Sequence, residues 1–375
     1  MSSILRYRIV NLSNRGLLQV TGSDTFPYIQ SVITNDLRSG GKIIYGTFLN
    51  AMGRILLDLM VYKINGNPSE RQLMLNAVAY GRYGIDGKPE DSLLIECDYD
   101  LLESARKTLF AYKIRRQVTL THASDYNLFA LYPDIDNIQM VHGHDLPKLS
   151  ELFSPDLIIG RDPRVGCFSY RIVSRLGGKS VDSLLPILSH HVPYQIVESN
   201  LTDYIHFRYK MGIAEGKNDY RPCFANPSES NIDYMNGLAI SKGQFTGKRV
   251  IARNAIKASR PYRLTPIELL LPENLQDRNK LNFGFGTRLT SKDKQKVIGK
   301  LICHRGRYGL AVLKPFECLR NQFQLHHLES GVDVNTWFPV WWPQPLQPKH
   351  YYLTRTQPQL TLGQSDDQQR KSLTS

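Results

Sequence analysis

Residues Lys242 to Arg253 read K-G-Q-F-T-G-K-R-V-I-A-R, with one glycine on each side of a short turn. Glycine adopts positive φ without a steric penalty and lets another backbone approach closely, so Gly243 and Gly247 predict a loop of fixed shape. All charged residues between Tyr234 and Ile267 are basic. The stretch is therefore expected to carry a positive potential and to face either an anionic partner or solvent.

The composition is that of a folded chain rich in positive charge. Its 375 residues, 41% of them hydrophobic, are enough for a sizeable core and for two or more folding units. The formal net charge of +13 fits a nucleic acid, an anionic lipid or a polyanionic cofactor as partner, and it also fits the mitochondrial matrix. No run reaches the roughly 18 to 20 apolar residues of a membrane span, so we expect a soluble protein.

The 5 cysteines include no C-x-x-C pair. An odd number without that pairing argues against a disulfide framework and against a zinc or iron-sulfur site built by this chain alone. Cys223 is a weak metal-ligand candidate because its segment can fold back toward the loop, and a partly buried free thiol is the alternative. The others are Cys97, Cys167, Cys303 and Cys318.

The first part of the chain predicts strands and helices in alternation. Lys42 to Phe48 and Ile55 to Ile64 are apolar runs joined by Asn50-Ala51-Met52-Gly53, which predicts a hairpin. In its second strand Asp58 shares a face with apolar residues, so it is either a paired, functional acid or a group at the sheet rim. Further predicted strands are Leu5 to Val10, Leu17 to Thr21, Leu73 to Val78, Leu93 to Glu96, Gln117 to Thr121 and Asn127 to Tyr132, and predicted helices follow Ser23-Asp24 and Asp98 to Asp100.

The second half ends in a strand-rich segment. After Arg260-Pro261, short strands separated by Gly, Pro and Asn turns predict a small β structure, and the whole pattern favours an α+β fold over a doubly wound one. From about Pro345 the chain is rich in Pro and Gln and has no periodicity, so residues 345–375 are expected to be a disordered tail. The predicted strands are Ile267 to Leu271, Val297 to Cys303, Gly309 to Leu313, Phe323 to His327 and Val332 to Trp337.

Short motifs along most of the chain carry a family resemblance. Their order and spacing resemble those of the mitochondrial iron-sulfur cluster assembly factors related to the T-protein of the glycine cleavage system. The resemblance runs from about Leu5 to Pro343. The motifs are Gly22 to Asp24, Thr34-Asn35, Leu49-Asn50, Gly53-Arg54, Asp58, Glu96 to Asp98, Tyr112 to Val118, Arg161 to Arg164, Arg208-Tyr209, Gly212-Ile213, Glu215-Gly216, Glu229 to Asn231, Asp233, Met235 to Gly237, the opening loop and Trp341 to Pro343.

This resemblance implies a multi-lobed, aminomethyltransferase-like folate-binding domain followed by a small C-terminal β-barrel. We place the folate-binding region at residues 1–262, in lobes of about 1–125 and 126–262, and the barrel at 263–344. It also implies a location in the mitochondrial matrix. Because Leu5 to Val10 already predicts a strand, a targeting segment is expected to be short or absent from this sequence.

Two departures from the family motifs bear on chemistry. The family loop reads K-G-C-[FY]-x-G-Q-E, whereas this chain has Gln244 in place of the cysteine and Lys248-Arg249 in place of Gln-Glu. A neutral amide is a poor iron ligand and a poor nucleophile. In the T-proteins the hairpin reads G-G-I-x-D-D, and Leu57 replaces one of those acids. Since leucine exchanges no proton, no catalytic residue is assigned and classical turnover is not expected.

The resemblance nevertheless implies a set of cofactor-binding positions. Tetrahydrofolate is the cofactor it implies, together with an iron-sulfur cluster shared with a partner, for which Gln244 removes the expected ligand. The implied folate-binding residues are Tyr45, Asn50, Arg54 and Asp58 around the opening, Glu229 and Asn231 beside it, and Lys242, Gly243 and Arg253 in the loop.

Three functions remain open from the sequence. The first is an accessory role in four-iron cluster assembly, with a folate-binding scaffold that docks to A-type iron-sulfur scaffold proteins. The second is a folate-dependent aminomethyl transferase with altered catalytic residues, favoured by fold alone. The third is a basic nucleic-acid-binding protein, which the sequence disfavours because it shows no recognised module and little interleaving of aromatic and basic residues.

Overall fold

The computed structural model describes residues 6–39, 41–64, 92–134, 149, 153–154, 156–166, 168–176, 178, 180–192, 194–256, 262–270, 283–292, 296–314, 323–325 and 332–343. The described residues fall into two units, one up to Val340 and a second that includes Trp341 to Pro343. The predicted tail, the predicted strand at Leu73 to Val78, and Cys167 and Cys318 lie outside the described residues. No helix in the described ranges is long and apolar enough to cross a membrane.

A six-stranded sheet forms the first layer of the larger unit. Its core face is apolar, with Ile9, Phe129 and Ile172 completely buried beneath the helix α3, Leu185–His191. Strand β1 (Arg6–Asn11) pairs in parallel with β11 (Gln195–Glu198), a strand almost two hundred residues later in the sequence. The spatial order is β11 (Gln195–Glu198), β1 (Arg6–Asn11), β7 (Asn127–Pro133), β10 (Tyr170–Ser174), β9 (Leu157–Arg161) and β8 (Phe153–Ser154).

A five-stranded antiparallel sheet forms the second layer. Its outer face packs against two helices, α1 (Thr25–Val32) and α2 (Leu102–Tyr112), whose apolar residues share one core cluster with the strands. Asp24 precedes α1, but its carboxylate accepts from the Gln117 amide at 2.8 Å instead of capping the helix. The order is β3 (Ile43–Leu49), β4 (Ile55–Lys63), β5 (Ser92–Asp98), β2 (Arg15–Thr21) and β6 (Thr119–His122).

The inner faces of the two sheets meet over polar side chains. Arg171 on β10 lies 3.5 Å from Glu96 on β5, which joins the sheets directly. A helix, α4 (Leu201–Met211), lies against this centre; Asn200 caps its start by accepting from the Asp203 amide. Gly212 ends α4 in the left-handed conformation that glycine favours, with φ +72.

The C-terminal part of the larger unit is a closed six-stranded barrel. Alternate residues point inward and form its own apolar core, which includes Ile267, Leu301 and Leu313. β13 was not predicted, because a four-residue strand with one apolar residue has little sequence signal. The barrel order is β12 (Arg263–Leu270), β15 (Tyr308–Leu313), β14 (Val297–Arg305), β13 (Arg288–Ser291), β16 (Phe323–Leu325) and β17 (Val332–Thr336).

The α+β class and the C-terminal barrel are confirmed. The hairpin of β3 and β4 also forms as predicted, with Asn50 to Arg54 as its turn. The proposed boundaries at 125, 262 and 344 stay predictions, since the described residues up to Val340 form one compact unit.

Candidate functional site

Lys242 anchors the loop of residues 242–253, called the signature loop, to the end of α1. Its ammonium donates to the carbonyl oxygens of Gln30 and Ile33 at 2.5 Å and of Asn35 at 2.7 Å, and the residue is 1% exposed. Burial lowers the pKa of Lys242 to about 7. The three carbonyls favour the charged form and so oppose the lowering of the pKa, because only the ammonium has three N–H donors. The loop therefore begins with a buried lysine whose side chain is bonded to α1 and the residues after it.

Two glycines let the loop lie against the hairpin turn. Gly247 has φ +79, and a Cβ there would lie 2.9 Å from the Asn50 oxygen and 3.0 Å from the Gly53 Cα. Lys248 closes the loop by donating to the carbonyls of Lys242 at 2.7 Å and Gly243 at 3.1 Å. Its charge is thus used inside the loop. The helix α5, Lys248–Ile256, starts directly after Gly247.

The exposed face of the loop holds Gln244, the position of the family cysteine. Gln244, Gly243 and Arg253 are all exposed, and a Cβ at Gly243 would meet nothing within 4 Å. Phe245 instead turns inward, with its ring 5.2 Å from the Lys242 ammonium. The loop therefore presents an amide, a backbone and a guanidinium to a partner.

The segment carrying Cys223 does fold back against the same hairpin. The Cys223 amide donates to the Ile55 oxygen at 2.8 Å, and the Ile55 amide donates to the Ala225 oxygen at 3.0 Å. Arg54 adds a bond from its Nη1 to the Phe224 oxygen at 3.2 Å. Cys223 itself is exposed and has φ +69, an unusual conformation for a residue other than glycine.

Asn50 and Tyr45 use their polar atoms within the protein. Asn50 Oδ1 accepts from the Arg54 amide at 2.9 Å and so fixes the hairpin turn. Tyr45 is fully buried, and its hydroxyl lies 3.1 Å from that of Tyr220. Burial raises the pKa of Tyr45, so it is a neutral phenol.

Asp58 lies in the buried centre as a paired acid. Arg15 contacts its carboxylate at 3.2 Å, and the Gly216 amide donates to it at 3.0 Å. The same guanidinium donates to Glu96 at 2.7 Å, and Tyr62 also bonds Glu96. Asp58 is therefore buried and paired, not at the sheet rim, and a functional role for it stays a prediction.

Glu229 and Asn231 both form hydrogen bonds with Leu264 on the first barrel strand. The Leu264 amide donates to the Glu229 oxygen, and Asn231 Nδ2 donates to the Leu264 oxygen, both at 2.7 Å. Asn231 is fully buried with φ +60. These contacts are to the barrel backbone.

A second ion cluster lies deeper. Arg164 contacts Asp162 at 2.7 Å and Glu215 at 2.9 Å, while Arg171 also bonds Glu215. Arg208 contacts Asp219 at 2.8 Å. Burial alone raises the pKa of Glu215, but the arginines outweigh it and hold that pKa well below its usual range. The centre of the molecule is therefore held by ionised, mutually compensating groups.

A cavity of about 430 Å³ opens beside this cluster. None of the residues predicted for folate lines it. Three of its lining residues have a buried polar atom without a hydrogen-bond partner among the described residues: Asn14 Oδ1, Arg208 Nε and Glu215 Oε1. The last two form an ion pair with each other at 3.7 Å. Tyr99, 61% exposed, stands at the rim. The remaining lining residues are Ser13, Asp98, Asp100, Ile205, Tyr209, Lys217, Asn218, Asp219, Cys303, His304 and Arg305.

Cys303 lines this cavity as a protonated thiol. Its Sγ donates to Asp219 Oδ1 at 3.2 Å. Burial, reinforced by that carboxylate, raises the pKa of Cys303 well above its usual range, and burial raises that of Cys97 to about 12. Neither is poised as a thiolate ligand. In the described part of the chain, no group of three His, Cys, Asp or Glu side chains is arranged to hold a metal ion.

The arrangement permits a test of the implied folate. Tyr45, Asn50, Asp58, Asn231 and Lys242 already have polar atoms bonded within the protein, whereas Asn231 Oδ1 has no hydrogen-bond partner among the described residues. Folate binding by the predicted set stays a prediction. The cavity is large enough for a flat heterocycle, and the unpartnered amide oxygen of Asn14 can accept from the N–H edge of a pterin. Contact of a ligand with Gly243 or Arg253 stays a prediction.

The amino-acid sequence is similar to those of several curated proteins over most of its length. Over 343 residues the chain is 29% identical to "Iron-sulfur cluster assembly factor IBA57, mitochondrial" of Mus musculus, covering 88% of this chain and 84% of that one. The Homo sapiens protein of the same name is 27% identical over 344 residues, with the same shares. A homologue from Coccidioides immitis is 25% identical over 332 residues, covering 81% and 71%.

Solved structures give the same answer for the fold. Aminomethyltransferase T of the glycine cleavage system from Bartonella henselae superposes with a TM-score of 0.60 over 89% of this chain and 86% of that one, at 14% identity. The chain is therefore similar to IBA57 proteins over most of its length and has an aminomethyltransferase fold. No model of a known protein family matches it.

Sequence reasoning found the signature loop of this IBA57-like chain but missed the cavity. Arg208 and Glu215 were recognised only as family motifs, and Cys303 only as a strand end. Their convergence depends on α4, the loop after it and β14, which are far apart in sequence. The available signal in the sequence was the presence of two charged residues, Arg208 and Glu215, within apolar segments, which is typical of a buried polar site.

Proposed function

We propose that this protein is an accessory factor of iron-sulfur cluster assembly in the mitochondrial matrix, acting on four-iron clusters by docking to other assembly proteins. The observation that carries the proposal is the match over 88% of the chain to mitochondrial IBA57 proteins, which are named as assembly factors. The signature loop, held by Lys242 and the hairpin, supplies a rigid exposed surface for docking.

The contacts of the hairpin favour docking over aminomethyl transfer. Leu57, where the T-proteins have an acid, is 6% exposed and belongs to the apolar core beneath the helices. The neighbouring Asp58 is tied to Arg15 and to the Gly216 amide. Neither residue is placed to exchange a proton with a folate nitrogen.

Depletion in cells tests the proposed role. We expect the activities of aconitase and lipoate synthase, both four-iron enzymes, to fall, and re-expression of the chain to restore them. A two-iron ferredoxin serves as the control and should keep its cluster. Unchanged aconitase and lipoate synthase after depletion would sink the proposal.

The proposed partner is an A-type iron-sulfur scaffold protein. We expect the purified proteins to form a complex without a cluster held by the signature loop, because Gln244 presents an amide where the relatives' loop pattern has a thiol. Anaerobic reconstitution with wild type and Gln244→Cys checks this by absorption spectroscopy. A shared cluster in wild type that the cysteine variant does not strengthen would contradict it.

Tetrahydrofolate is proposed to bind in the cavity and not at the hairpin. The unpartnered amide oxygen of Asn14 in the cavity lining supports this site. Isothermal titration should show a roughly tenfold weaker Kd for Asn14→Ala, in keeping with about 1.4 kcal/mol for one lost hydrogen bond. Arg253→Ala is the control and should leave the Kd unchanged. The reverse pattern would place folate at the signature loop.

A further inference from the structure

Cations and aromatic rings alternate across one exposed surface of the protein. Arg54 bonds the backbone of Phe224, and the Arg221 guanidinium lies 5.9 Å from the Phe224 ring and 4.3 Å from the Phe285 ring. The Lys300 ammonium continues the series at 5.7 Å from Phe285. These residues, Arg54, Phe224, Arg221, Phe285 and Lys300, are called the basic-aromatic surface. It joins the hairpin to the barrel.

The apolar members of this surface are unusually exposed. Phe224 is 68% exposed and Phe285 38%, and Met52 at the tip of the same hairpin is 74% exposed. Large apolar side chains that cluster in solvent generally mark an interaction site. Arg, Phe and Met are also the residue types enriched in protein interfaces.

The positive charge of the surface is uncompensated. Arg54, Arg221 and Lys300 make no ion pair with any carboxylate of the described residues. Arg288 on β13 is the direct cross-strand partner of Lys300 on β14, so two like charges face each other. Such pairs are destabilising, and an anionic partner would relieve the repulsion.

We propose that the basic-aromatic surface docks an acidic protein face whose carboxylates surround an apolar hollow. Charge complementarity selects the acidic partner, and the exposed rings and Met52 supply the anchors that fill the hollow. A nucleic acid fits less well. Stacking of bases needs open ring faces, whereas Arg221 lies over both rings and Lys300 over one of them.

Charge reversals on the surface test the proposal. The variants are Arg221→Glu, Lys300→Glu and Phe224→Ser, with Arg115→Glu, an exposed cation in the turn after α2, as the matched control. Circular dichroism checks that each variant folds. The probe is the purified A-type scaffold protein, a choice that rests on the proposed function. We expect at least roughly tenfold weaker Kd for the three surface variants, a shallower salt dependence for the two charge reversals, and no change for Arg115→Glu.

A second probe separates this inference from the proposed partner. A synthetic peptide of alternating Glu and Leu should bind wild type and lose affinity in the surface variants, whether or not the scaffold protein binds. Absence of scaffold binding to wild type would refute that partner alone. Folded surface variants that bind both probes like wild type, or a wild type that binds neither, overturn the surface. Tighter binding of oligouridylate RNA than of either probe, lost in Arg221→Glu, would also overturn it.

Discussion

At the residue scale, the most informative side chain is Lys242. The resemblance assigned it to ligand binding, and the structure instead bonds its ammonium to three carbonyls at the end of α1. The motif thus places a buried, structural lysine two residues before the exposed Gln244. Sequence could show that the lysine was present. It could not show that Lys242 donates hydrogen bonds to carbonyls at the end of a helix more than two hundred positions earlier.

We expect Lys242→Met to lower the free energy of unfolding by about 2 to 4 kcal/mol, because it removes three hydrogen bonds to buried or part-buried carbonyls while keeping the apolar stem. Urea denaturation followed by circular dichroism measures the change. Lys248→Met, which releases two less buried carbonyls, is the control and should cost less. Undiminished stability together with lost ligand affinity would return Lys242 to the role of a binding residue.

Asp58 makes a second prediction at this scale. Asp58→Leu leaves Arg15 short of one buried partner, so we expect a loss of about 3 to 5 kcal/mol in unfolding free energy. Asp100→Leu is the comparison, since its carboxylate pairs with Lys217 at 2.6 Å but is 63% exposed. That change should cost less than about 1 kcal/mol. Equal costs in thermal or urea unfolding would show that the buried pair is not special.

At the element scale, turns and amphipathic segments were predictable, and their neighbours were not. The hairpin was readable because Asn50 to Gly53 interrupts two apolar runs. The helix α5 was not predicted, because a basic segment after a glycine also fits a solvated loop. Its place against the hairpin depends on the close approach of Gly247 to Gly53, which is a tertiary contact.

Gly247→Ala should disrupt that approach. The new Cβ would meet the Asn50 oxygen at 2.9 Å, and the backbone would keep a φ of +79 that alanine disfavours. We expect a loss of about 1 to 3 kcal/mol in unfolding free energy and faster amide exchange in the hairpin turn. Gly243→Ala, with nothing within 4 Å of its added Cβ and no positive φ, should be nearly neutral. Equal effects of the two changes would argue against close packing of the loop.

At the scale of the whole molecule, two sheets are held together by buried charges. The pKa of Asp162 and that of Glu215 are lowered in the folded state because the arginine contributions exceed the cost of burial. Acids with lowered pKa stabilise the fold fully above their unfolded pKa values, near 4, and lose that contribution as pH falls. The raised pKa of Asp98 acts in the opposite direction.

We therefore expect the unfolding free energy to fall steeply as the pH drops below about 4. Urea titrations between pH 3 and pH 7 measure this dependence. Glu215→Gln should be less stable at neutral pH and should show a shallower acid dependence, since one titrating group is gone. A variant whose stability falls in parallel with wild type over the acid range would show that Glu215 is not among the groups responsible.

The sequence by itself determined the α+β class, the hairpin, the C-terminal barrel and the kinship of the signature loop, because these follow from local periodicity, turn residues and ordered motifs. It also determined that Gln244 and Leu57 replace reactive residues. Only the tertiary structure decided which charges are paired, that Lys242 is internal, and where the cavity and the basic-aromatic surface lie. Each of these features depends on contacts between residues that are distant in sequence. A local sequence pattern carries no information about such contacts.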